Sequence, residues 1–556
     1  MKKLIRLIHA VRPLRAVQVT NRVARKLRKV QVPILGSCGF MSPKHGWATH
    51  CVHHRCFDEG PAFEFARLRR PLTSAADWSP ADVPDLWGYH LHYFDDAADP
   101  GTSETLVGGL IARWIAEHPA MAQPGWAPYP ISRRAINWCK WALMGRAPVE
   151  GMAASLAQQM GVLEQTLELH LLGNHYFANA KALVFGGAML DHPHAGRWLK
   201  TGWDILRAEI PEQVLADGGH FERSPMYSAV ILEDLLDLLN LARAYGLPEA
   251  GSLVGPILRM LGFVGSLSHP DGEVAQLNDS ALGMAATIGE LRAYALRLGV
   301  EPPPVGGSAW HRDSGFVRIE SGDWCVFMDA GSVGPAYLPG HAHASTLAIE
   351  ATLGGSRLIV DSGVSTYCPN PHRCYERSSR AHNCLAVADE NSSDVFGSFR
   401  VGRRATVAGA RCSDTEAYAS HNGFPRWGNA HRHVTVLDNR LTVIDWIDEP
   451  GPISVAFLLA PGTTVARTSM FEFHVQTILG VCCAMRGTPE AEWRVEERTQ
   501  APTFGVTTPT LCIVGRLRSA MFIGSRWDAY ASWTGDACNP HPPASSPKSP
   551  GPRRSS

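Results

Sequence analysis

The stretch Glu301-Pro-Pro-Pro-Val-Gly-Gly307 divides the chain into two halves with different patterns. Proline and glycine interrupt regular elements, so a run of both marks a break between domains. Before it, apolar residues recur at three- and four-residue spacing, which predicts helices. After it, short β-prone runs alternate with turn residues, which predicts strands. The sequence therefore predicts a helical domain followed by a β domain.

The helical pattern is clearest in five segments: 103–117, 131–143, 152–171, 176–190 and 229–244. Successive amphipathic helices with short connections suit a helical toroid or an ordinary bundle, and the pattern leaves both open. Strands are predicted over 315–320, 324–329, 347–350, 357–360 and 441–445. A turn at Asp438-Asn439-Arg440, between runs 433–437 and 441–445, predicts a hairpin. Regular short strands over such a span favour an antiparallel β-sandwich.

Length and composition set further bounds. A chain of 556 residues suits two to four domains, and its 45% hydrophobic and 19% charged content is ordinary for a globular protein. The division we predict is a basic, partly helical segment 1–80, a helical domain 81–300, a β domain 308–535 and a disordered Pro/Ser-rich tail 539–556. With 52 basic and 52 acidic residues, the chain lacks the basic excess of a nucleic-acid binder.

The N-terminus is strongly basic. Its first 30 residues hold 10 Lys or Arg and no Asp or Glu. Arg6 and His9 interrupt the apolar run 4–11, so the segment makes a poor signal peptide. We expect either a basic amphipathic helix lying on an anionic membrane surface or a solvated helix docked on the domain. No apolar run reaches the roughly 18 residues of a membrane span.

A polar cluster stands out in the β half. It comprises Gly340-His-Ala-His343, Val360-Asp-Ser-Gly363 and Ala381-His-Asn383. On a strand, His341 and His343 would point to the same face. Two histidines and one carboxylate suit a divalent metal ion, with zinc as the first candidate. The alternative is a set of scattered surface histidines in a chain that holds 24 of them.

Several segments resemble blocks of the heparinase II/III family of polysaccharide lyases, in the family's order, from about residue 86 to about residue 441. They are LWGYHLHYFD (86–95), GWAPYPISRRAINWCKW (125–141), GNHYFANAKALV (173–184), GGHFERSPMY (218–227), DGEVAQLNDS (271–280), GHAH (340–343), DSGVSTY (361–367), YERSSRAHN (375–383) and NSSDVFGSFRVGRR (391–404). The resemblance implies an incomplete α/α toroid followed by an antiparallel β-sandwich. It also implies β-elimination on an anionic, uronate-containing polysaccharide, and a periplasmic or cell-envelope location. The poor signal peptide makes the cytoplasm the alternative.

The resemblance also implies residue roles. Tyr227 and His341 would share the base and acid steps, and Asn174, with His175 beside it, would neutralise the substrate carboxylate. His343, Asp361 and His382 match the family's metal-binding trio. Alternatives remain open from the sequence, because Asn174 also suits a helix cap and Tyr227 a core position.

Substrate-binding candidates lie in the same blocks. Glu222 and Arg223 precede Tyr227 and would lie near the cleft, or else form a structural ion pair. Tyr129, Trp126 and Arg134 share one block, and their aromatic rings could stack on sugars or belong to the core. Two departures from the family pattern are Ser228 and Ser345, which replace a His and an Asp that many members carry.

Two other functions fit the sequence less well. One is a non-catalytic carbohydrate-binding protein acting in envelope polysaccharide assembly, which would not need the full set of catalytic residue types. The other is a glycoside hydrolase using Glu222 and Asp361 as paired carboxylates. It predicts no unsaturated product.

Overall fold

The computed structural model describes residues 2–34, 36–52, 56–57, 60, 62–517 and 529–535. The predicted tail 539–556 lies outside them. The helices are α1 (Lys2–Val11), α2 (Ala16–Leu27), α3 (Asp85–Leu91), α4 (Glu104–Glu117), α5 (Pro128–Leu143), α6 (Met152–Thr166), α7 (Gly173–Met189), α8 (Ala195–Gln213), α9 (Pro225–Tyr245), α10 (Ala250–Ser266), α11 (Ile288–Arg297) and α12 (Pro371–Glu376).

The strands begin with two short pairs in the N-terminal half, and the rest follow the proline-rich break. They are β1 (Gly39–Phe40), β2 (Ala62–Phe65), β3 (Leu68–Pro71), β4 (Leu190–Asp191), β5 (Ala309–His311), β6 (Phe316–Ser321), β7 (Trp324–Asp329), β8 (Ile349–Leu353), β9 (Ser356–Ile359), β10 (Leu385–Val387), β11 (Val395–Phe396), β12 (Arg400–Val401), β13 (Val407–Cys412), β14 (Glu416–His421), β15 (Ala430–Leu437), β16 (Arg440–Ile447), β17 (Ile453–Leu458), β18 (Thr464–Arg467), β19 (Glu472–Gln476), β20 (Cys482–Gly487), β21 (Glu492–Gln500), β22 (Thr508–Leu517) and β23 (Ala529–Gly535).

The five predicted helices are confirmed as α4, α5, α6, α7 and α9, with different ends. Helix α4 starts after Ser103, whose side chain caps it by accepting a hydrogen bond from the Leu106 N–H. Helix α9 starts earlier than predicted, because Ser224 caps it and Pro225 fits its first turn. The cap of α9 fixes Tyr227 in that first turn.

A five-stranded sheet, β5 to β9, joins the two halves. Side chains of a strand alternate between its faces, and both faces of this sheet are buried. Phe316 and Phe327 pack into the helical core. Val317 and Val326 point the other way, into the core of the β domain. The sheet therefore fixes the loops that follow its strands against the helical domain.

The remaining strands complete an antiparallel sandwich. An eight-stranded sheet runs in the order β13-β14-β15-β16-β23-β20-β19-β18, and a four-stranded sheet in the order β10-β17-β22-β21. The predicted hairpin is β15–β16, and its turn consists of Asp438 and Asn439, both with positive φ. That geometry is typical of a two-residue turn between twisted strands.

The basic N-terminus forms two helices, of which α1 is more exposed than α2. Helix α1 leaves Leu4 and Ile8 62% and 54% exposed, while Arg6 reaches Asp394 and the ring of Phe396. Helix α2 is held by Gln18, which is only 1% exposed. None of the helices in the described ranges combines the length and apolar character needed to cross a bilayer.

Candidate active site

The centre of the site is the buried carboxylate of Asp279. Arg373 donates to both of its oxygens, at 2.6 and 2.7 Å. His341 Nδ1 lies 3.0 Å from one oxygen and His343 Nε2 2.7 Å from the other. Burial alone would raise the pKa of Asp279, but Arg373 and His343 outweigh it and hold the pKa well below its usual range. Asp279 is therefore an ionised acceptor that orients both histidines.

A second carboxylate, Glu222, sits at the start of helix α7. Its Oε1 accepts from the main-chain N–H of Asn174 at 2.9 Å and from the Asn174 side-chain amide at 3.0 Å. Burial acts to raise the pKa of Glu222, and the nearby His341 and His220 lower it overall. A negative group is favoured at a helix N-terminus. The side chain of Asn174 therefore does not cap helix α7. Its amide is instead held in place by the hydrogen bond to Glu222.

His341 and Tyr227 meet above these carboxylates. Nε2 of His341 lies 3.2 Å from Oε2 of Glu222. The rings of His341 and Tyr227 have centroids 4.1 Å apart, and the Tyr227 hydroxyl lies 3.4 Å from the Tyr367 hydroxyl. Burial, followed by Tyr367, raises the pKa of Tyr227 well above its usual value. Tyr227 is therefore a protonated phenol in the free protein.

His175 forms the next part of the site. Its Nδ1 lies 3.1 Å from Oε1 of Glu168, and its ring lies 4.4 Å from that of Tyr129. Burial acts to lower the pKa of His175, but Glu168 raises it overall. The half-buried ring of Tyr129 therefore lies beside the site, and its contact with substrate stays a prediction.

The loops carrying these residues are strained. Leu172, Arg223 and Asn278 are non-glycine residues with φ of 66°, 56° and 58°. Each is adjacent to or one residue removed from Asn174, Glu222 or Asp279. Such conformations cost free energy and persist where the surrounding structure fixes them, often at functional sites. The backbone therefore places the polar groups at a cost to stability.

The predicted metal trio is brought together in part. His343, Asp361 and His382 are all buried, and the rings of the two histidines are 5.2 Å apart. Nδ1 of His382 lies 2.7 Å from Oδ2 of Asp361, and Nε2 of His343 lies 2.7 Å from Oδ1 of Asp279. The remaining nitrogens, Nδ1 of His343 and Nε2 of His382, are buried without a hydrogen-bond partner. Within the described ranges, no three potential ligands are close enough to hold one ion as they stand.

These two histidines nevertheless fit a metal site in one respect. A metal-binding histidine commonly donates its second ring N–H to a carboxylate, which leaves the other nitrogen for the ion. His343 and His382 both show this arrangement, with Asp279 as the orienting carboxylate of His343 and Asp361 as that of His382. The predicted strand around His341 and His343 is wrong, because both lie in the irregular segment between β7 and β8.

Three predicted substrate-binding residues, Arg134, Trp126 and Arg223, make contacts within the protein. Arg134 is 0% exposed, donates to Gln159 and the His92 carbonyl, and stacks on Trp114. It is therefore a core residue and the prediction is wrong. Trp126 is also largely buried, although it lines a cavity beside His175. The guanidinium of Arg223 donates to the carbonyls of Ser332 and Asp313 and so ties α9 to the β domain.

Three residues of the site were missed by the sequence analysis. They are Asp279, Tyr367 and Arg373. Asp279 and Tyr367 stand near or at the ends of two of the family-like blocks, so their position was a usable signal. Arg373 lies just before such a block, and nothing in its spacing predicts a buried partner 94 positions away.

The fold and the site are those of one protein family, which the following similarities identify. Residues 153–296 match the family model described as "Heparinase II/III N-terminus", and residues 303–519 match "Heparinase II/III-like, C-terminal". The chain belongs to the heparinase II/III family. The predicted incomplete α/α toroid followed by an antiparallel β-sandwich is confirmed by the solved structure of heparinase III, which has a TM-score of 0.66, 17% identity, and coverage of 82% of this chain and 78% of that one.

Two curated relatives show the extent of the sequence likeness. A heparin-sulfate lyase of Pedobacter heparinus is 26% identical over 242 residues, 39% of this chain and 36% of the relative. FtsZ-localized protein C of Caulobacter vibrioides is 29% identical over 287 residues, 49% of this chain and 48% of the relative. The chain thus spans less than half the length of each of these two relatives.

Proposed function

We propose that the protein is a polysaccharide lyase that cleaves a uronate-containing, glycosaminoglycan-like polysaccharide by β-elimination. One observation carries the proposal. Asn174, Glu222, Tyr227 and His341 come from three distant parts of the chain and form one contiguous polar group. Family membership and the heparin-sulfate lyase relatives support the same chemistry.

The reaction requires three tasks. A base removes the proton at C5 of the uronate, the C4–O4 bond breaks as a C4–C5 double bond forms, and an acid protonates the departing O4. The C5 proton becomes acidic enough only if the adjacent carboxylate is neutralised. Asn174 suits this task, because Glu222 takes one of the two N–H groups of its amide and the other stays available to the substrate.

The proton transfers fall to two residues. Asp279 accepts from Nδ1 of His341, and Nε2 lies 3.2 Å from Oε2 of Glu222 in the free protein. In our proposal the substrate displaces this second contact, and Nε2 then serves as the base. Tyr227 holds its proton because burial raises its pKa, and it therefore suits the acid role. His175, which Glu168 keeps more basic than usual, adds positive charge beside the substrate carboxylate.

We also propose a divalent metal ion, with zinc as the first candidate. The unpartnered nitrogens of His343 and His382 would bind it, and Asp361 would complete or orient the set. The ion would supply structural support to the loop that carries His341, and no step of the reaction passes through it. Asp361 is fully buried and its carboxylate faces His382, so it is unsuited to act with Glu222 as a hydrolase pair.

A cell-envelope or periplasmic location is proposed as well, with helix α1 resting on an anionic membrane surface. The exposed Leu4, Ile5 and Ile8 lie on a helix that carries basic residues and no acidic ones, as in helices that bind membrane surfaces. Fractionation of cells and sedimentation with anionic vesicles test this. Protein found only in the cytosol that does not sediment with anionic vesicles would contradict the proposed location.

The function is tested by the ultraviolet absorbance of the unsaturated uronate. The intact protein is incubated with heparan sulfate, hyaluronan, chondroitin, alginate and unsulfated bacterial exopolysaccharides. We expect absorbance to rise with at least one substrate, and Tyr227→Phe or His341→Ala to lower the rate by about 10²-fold or more. New reducing ends without absorbance would indicate a hydrolase instead. Binding without any cleavage across the panel would favour a carbohydrate-binding role.

A further inference from the structure

Helix α2 borders the active-site cleft, although it lies outside both segments that match the family. Gln18 donates from its side chain to the carbonyl of Leu171 at 3.4 Å and to that of Tyr337 at 3.2 Å. Leu171 lies just before Asn174 and His175, and Tyr337 just before His341. The helix therefore spans the two loops that carry the site, one from each domain.

A cavity of about 350 Å³ lies between the C-terminal half of α2 and the helical domain. Its lining includes Arg25 and Arg28 on one side and Trp126, Glu168 and His175 on the other. A volume of this size is within the usual range for small-ligand sites. Because His175 lines it, the cavity continues directly from the proposed catalytic group.

The charges that face this cavity are unbalanced. Arg25 contacts the imidazole of His170, and Arg28 donates to the main-chain carbonyl of Gln165. In the described part of the chain, neither guanidinium has a carboxylate partner. Burial, and then Arg25, lowers the pKa of His170 to about 4, so this contact does not offset the charge of Arg25.

The cavity's described lining contains a single carboxylate, that of Glu168. Its oxygens already face His175 Nδ1 at 3.1 Å and accept from the amide of Asn179 at 3.1 Å. Glu168 is thus committed to the helical domain. The cavity presents two arginines to a ligand, which suits an anion.

We propose that Arg25 and Arg28 of α2 form a subsite for an anionic group, carboxylate or sulfate, on a sugar that flanks the cleaved bond. The planar guanidinium group can grip either anion with two parallel hydrogen bonds. The inference rests on the proposed function for the identity of the ligand. The net charge of the whole chain is zero, so it gives no indication of this local excess of basic residues at the cavity.

The test measures equilibrium binding, so that it does not depend on turnover. Fluorescently labelled uronate oligosaccharides of defined length, one sulfated and one unsulfated, are titrated into full-length Tyr227→Phe protein. Into this background we introduce Arg25→Gln with Arg28→Gln. The control pair, Arg22→Gln with Lys29→Gln, removes the same charge from exposed positions that do not line this cavity. Thermal unfolding checks that all variants are folded.

We expect the Arg25/Arg28 pair to weaken binding by about tenfold or more and the control pair by less than about threefold. A loss confined to the sulfated ligand identifies the anion as sulfate, and a loss with both identifies a carboxylate. Replacement of both arginines by lysine should recover part of the affinity, since charge is kept but the planar group is lost.

Other results overturn the subsite. If the Arg25/Arg28 pair and the control pair lose the same affinity, the effect is general electrostatic attraction and not a subsite. The subsite is also ruled out if the Arg25/Arg28 pair loses no affinity, or if the oligosaccharides do not bind at all. The same holds if the arginine pair affects only adsorption to anionic vesicles. A separate measurement of unsaturated product from protein with native Tyr227 distinguishes the two proposals. Binding that depends on Arg25 and Arg28 without any product leaves the subsite standing and contradicts the lyase.

Discussion

Glu222 accepts hydrogen bonds from both the main-chain N–H and the side-chain amide of Asn174 through a single oxygen. The first bond places a carboxylate at the N-terminus of α7, where the helix dipole favours it. The second fixes the rotamer of the residue that would contact the substrate acid. One buried carboxylate therefore both stabilises the helix start and prepares the site.

Gly173→Ala tests how closely Glu222 must approach. Gly173 has φ of 59°, and an added Cβ would lie 2.4 Å from Oε1 of Glu222 and 2.5 Å from Leu338. We expect the substitution to destabilise the protein by at least about 1–2 kcal/mol and to reduce turnover. Gly109→Ala, in an open position in the interior of helix α4, should instead stabilise by about 0.5–1 kcal/mol. Urea unfolding measures both, and equal effects would contradict the close contact.

Asp279→Asn removes the charge that holds Arg373, His341 and His343. Breaking a buried ion pair from one side typically costs about 3–5 kcal/mol, because the remaining charge stays buried. We expect a loss of this size together with a large fall in turnover, measured by denaturant unfolding and product absorbance. Asp204→Asn, at an exposed ion pair on α8, should leave both unchanged. A stable, active Asp279→Asn protein would show that Asp279 does not organise the site.

Metal removal should lower stability through His382. If the ion binds the folded state alone, it stabilises by about 2.7 kcal/mol at a free concentration 100 times its Kd. We expect chelation to lower the thermal midpoint of the native protein and His382→Gln to abolish both that response and most bound metal, as measured by elemental analysis. The exposed His45→Gln serves as a control that keeps both. Purified native protein that binds no divalent ion under any loading condition would rule out the site.

Glu350 should make stability depend on pH. It is fully buried beside His269, with Oε2 3.0 Å from Nε2. Burial raises its pKa from 4.5 to about 8, against the opposing effect of Arg357. Because the folded pKa is higher than the unfolded one, its contribution is complete below pH 4.5 and is lost as pH rises through about 8.

The neutral variant Glu350→Gln isolates this effect. Relative to the native protein, its free energy of unfolding should increase with pH between 4.5 and 8, by at most about 1.4 kcal/mol per pH unit. Denaturant unfolding across this range measures the difference. His269 acts in the opposite sense, since burial lowers its pKa and its contribution is lost below about pH 6.5. A difference that does not change with pH would contradict a protonated Glu350.

Much of the fold follows from local pattern. Helices α5 and α7 are buried on most sides, so apolar residues recur along their whole length and predict helices without a clear polar face. Asp438-Asn439 provides the positive φ that a tight hairpin needs. The alternation around His341 and His343 misled the prediction, because two residues at i and i+2 also suit an irregular loop. Such a loop is held by side-chain contacts with Asn278 and Asp279, which spacing does not encode.

Site residues could be predicted only where they lie within the family-like sequence motifs. Asn174, Tyr227 and His341 do come together, but their spacing alone does not predict Glu222 as the link between them. Arg134 illustrates the opposite error, since an arginine in a family-like block can be a fully buried core residue that stacks on Trp114. Burial depends on how helices pack, and the sequence pattern does not distinguish an inward arginine from one in a cleft.

Helix α2 reaches the cleft from the opposite end of the chain to the strands and loops of the β domain. Its residues can therefore vary without disturbing the carboxylates that organise the chemistry. Gln18 would hold any such helix in register, whatever side chains it presents. Exchange of this N-terminal piece between homologues offers a route to enzymes with redirected substrate preference and an unaltered reaction.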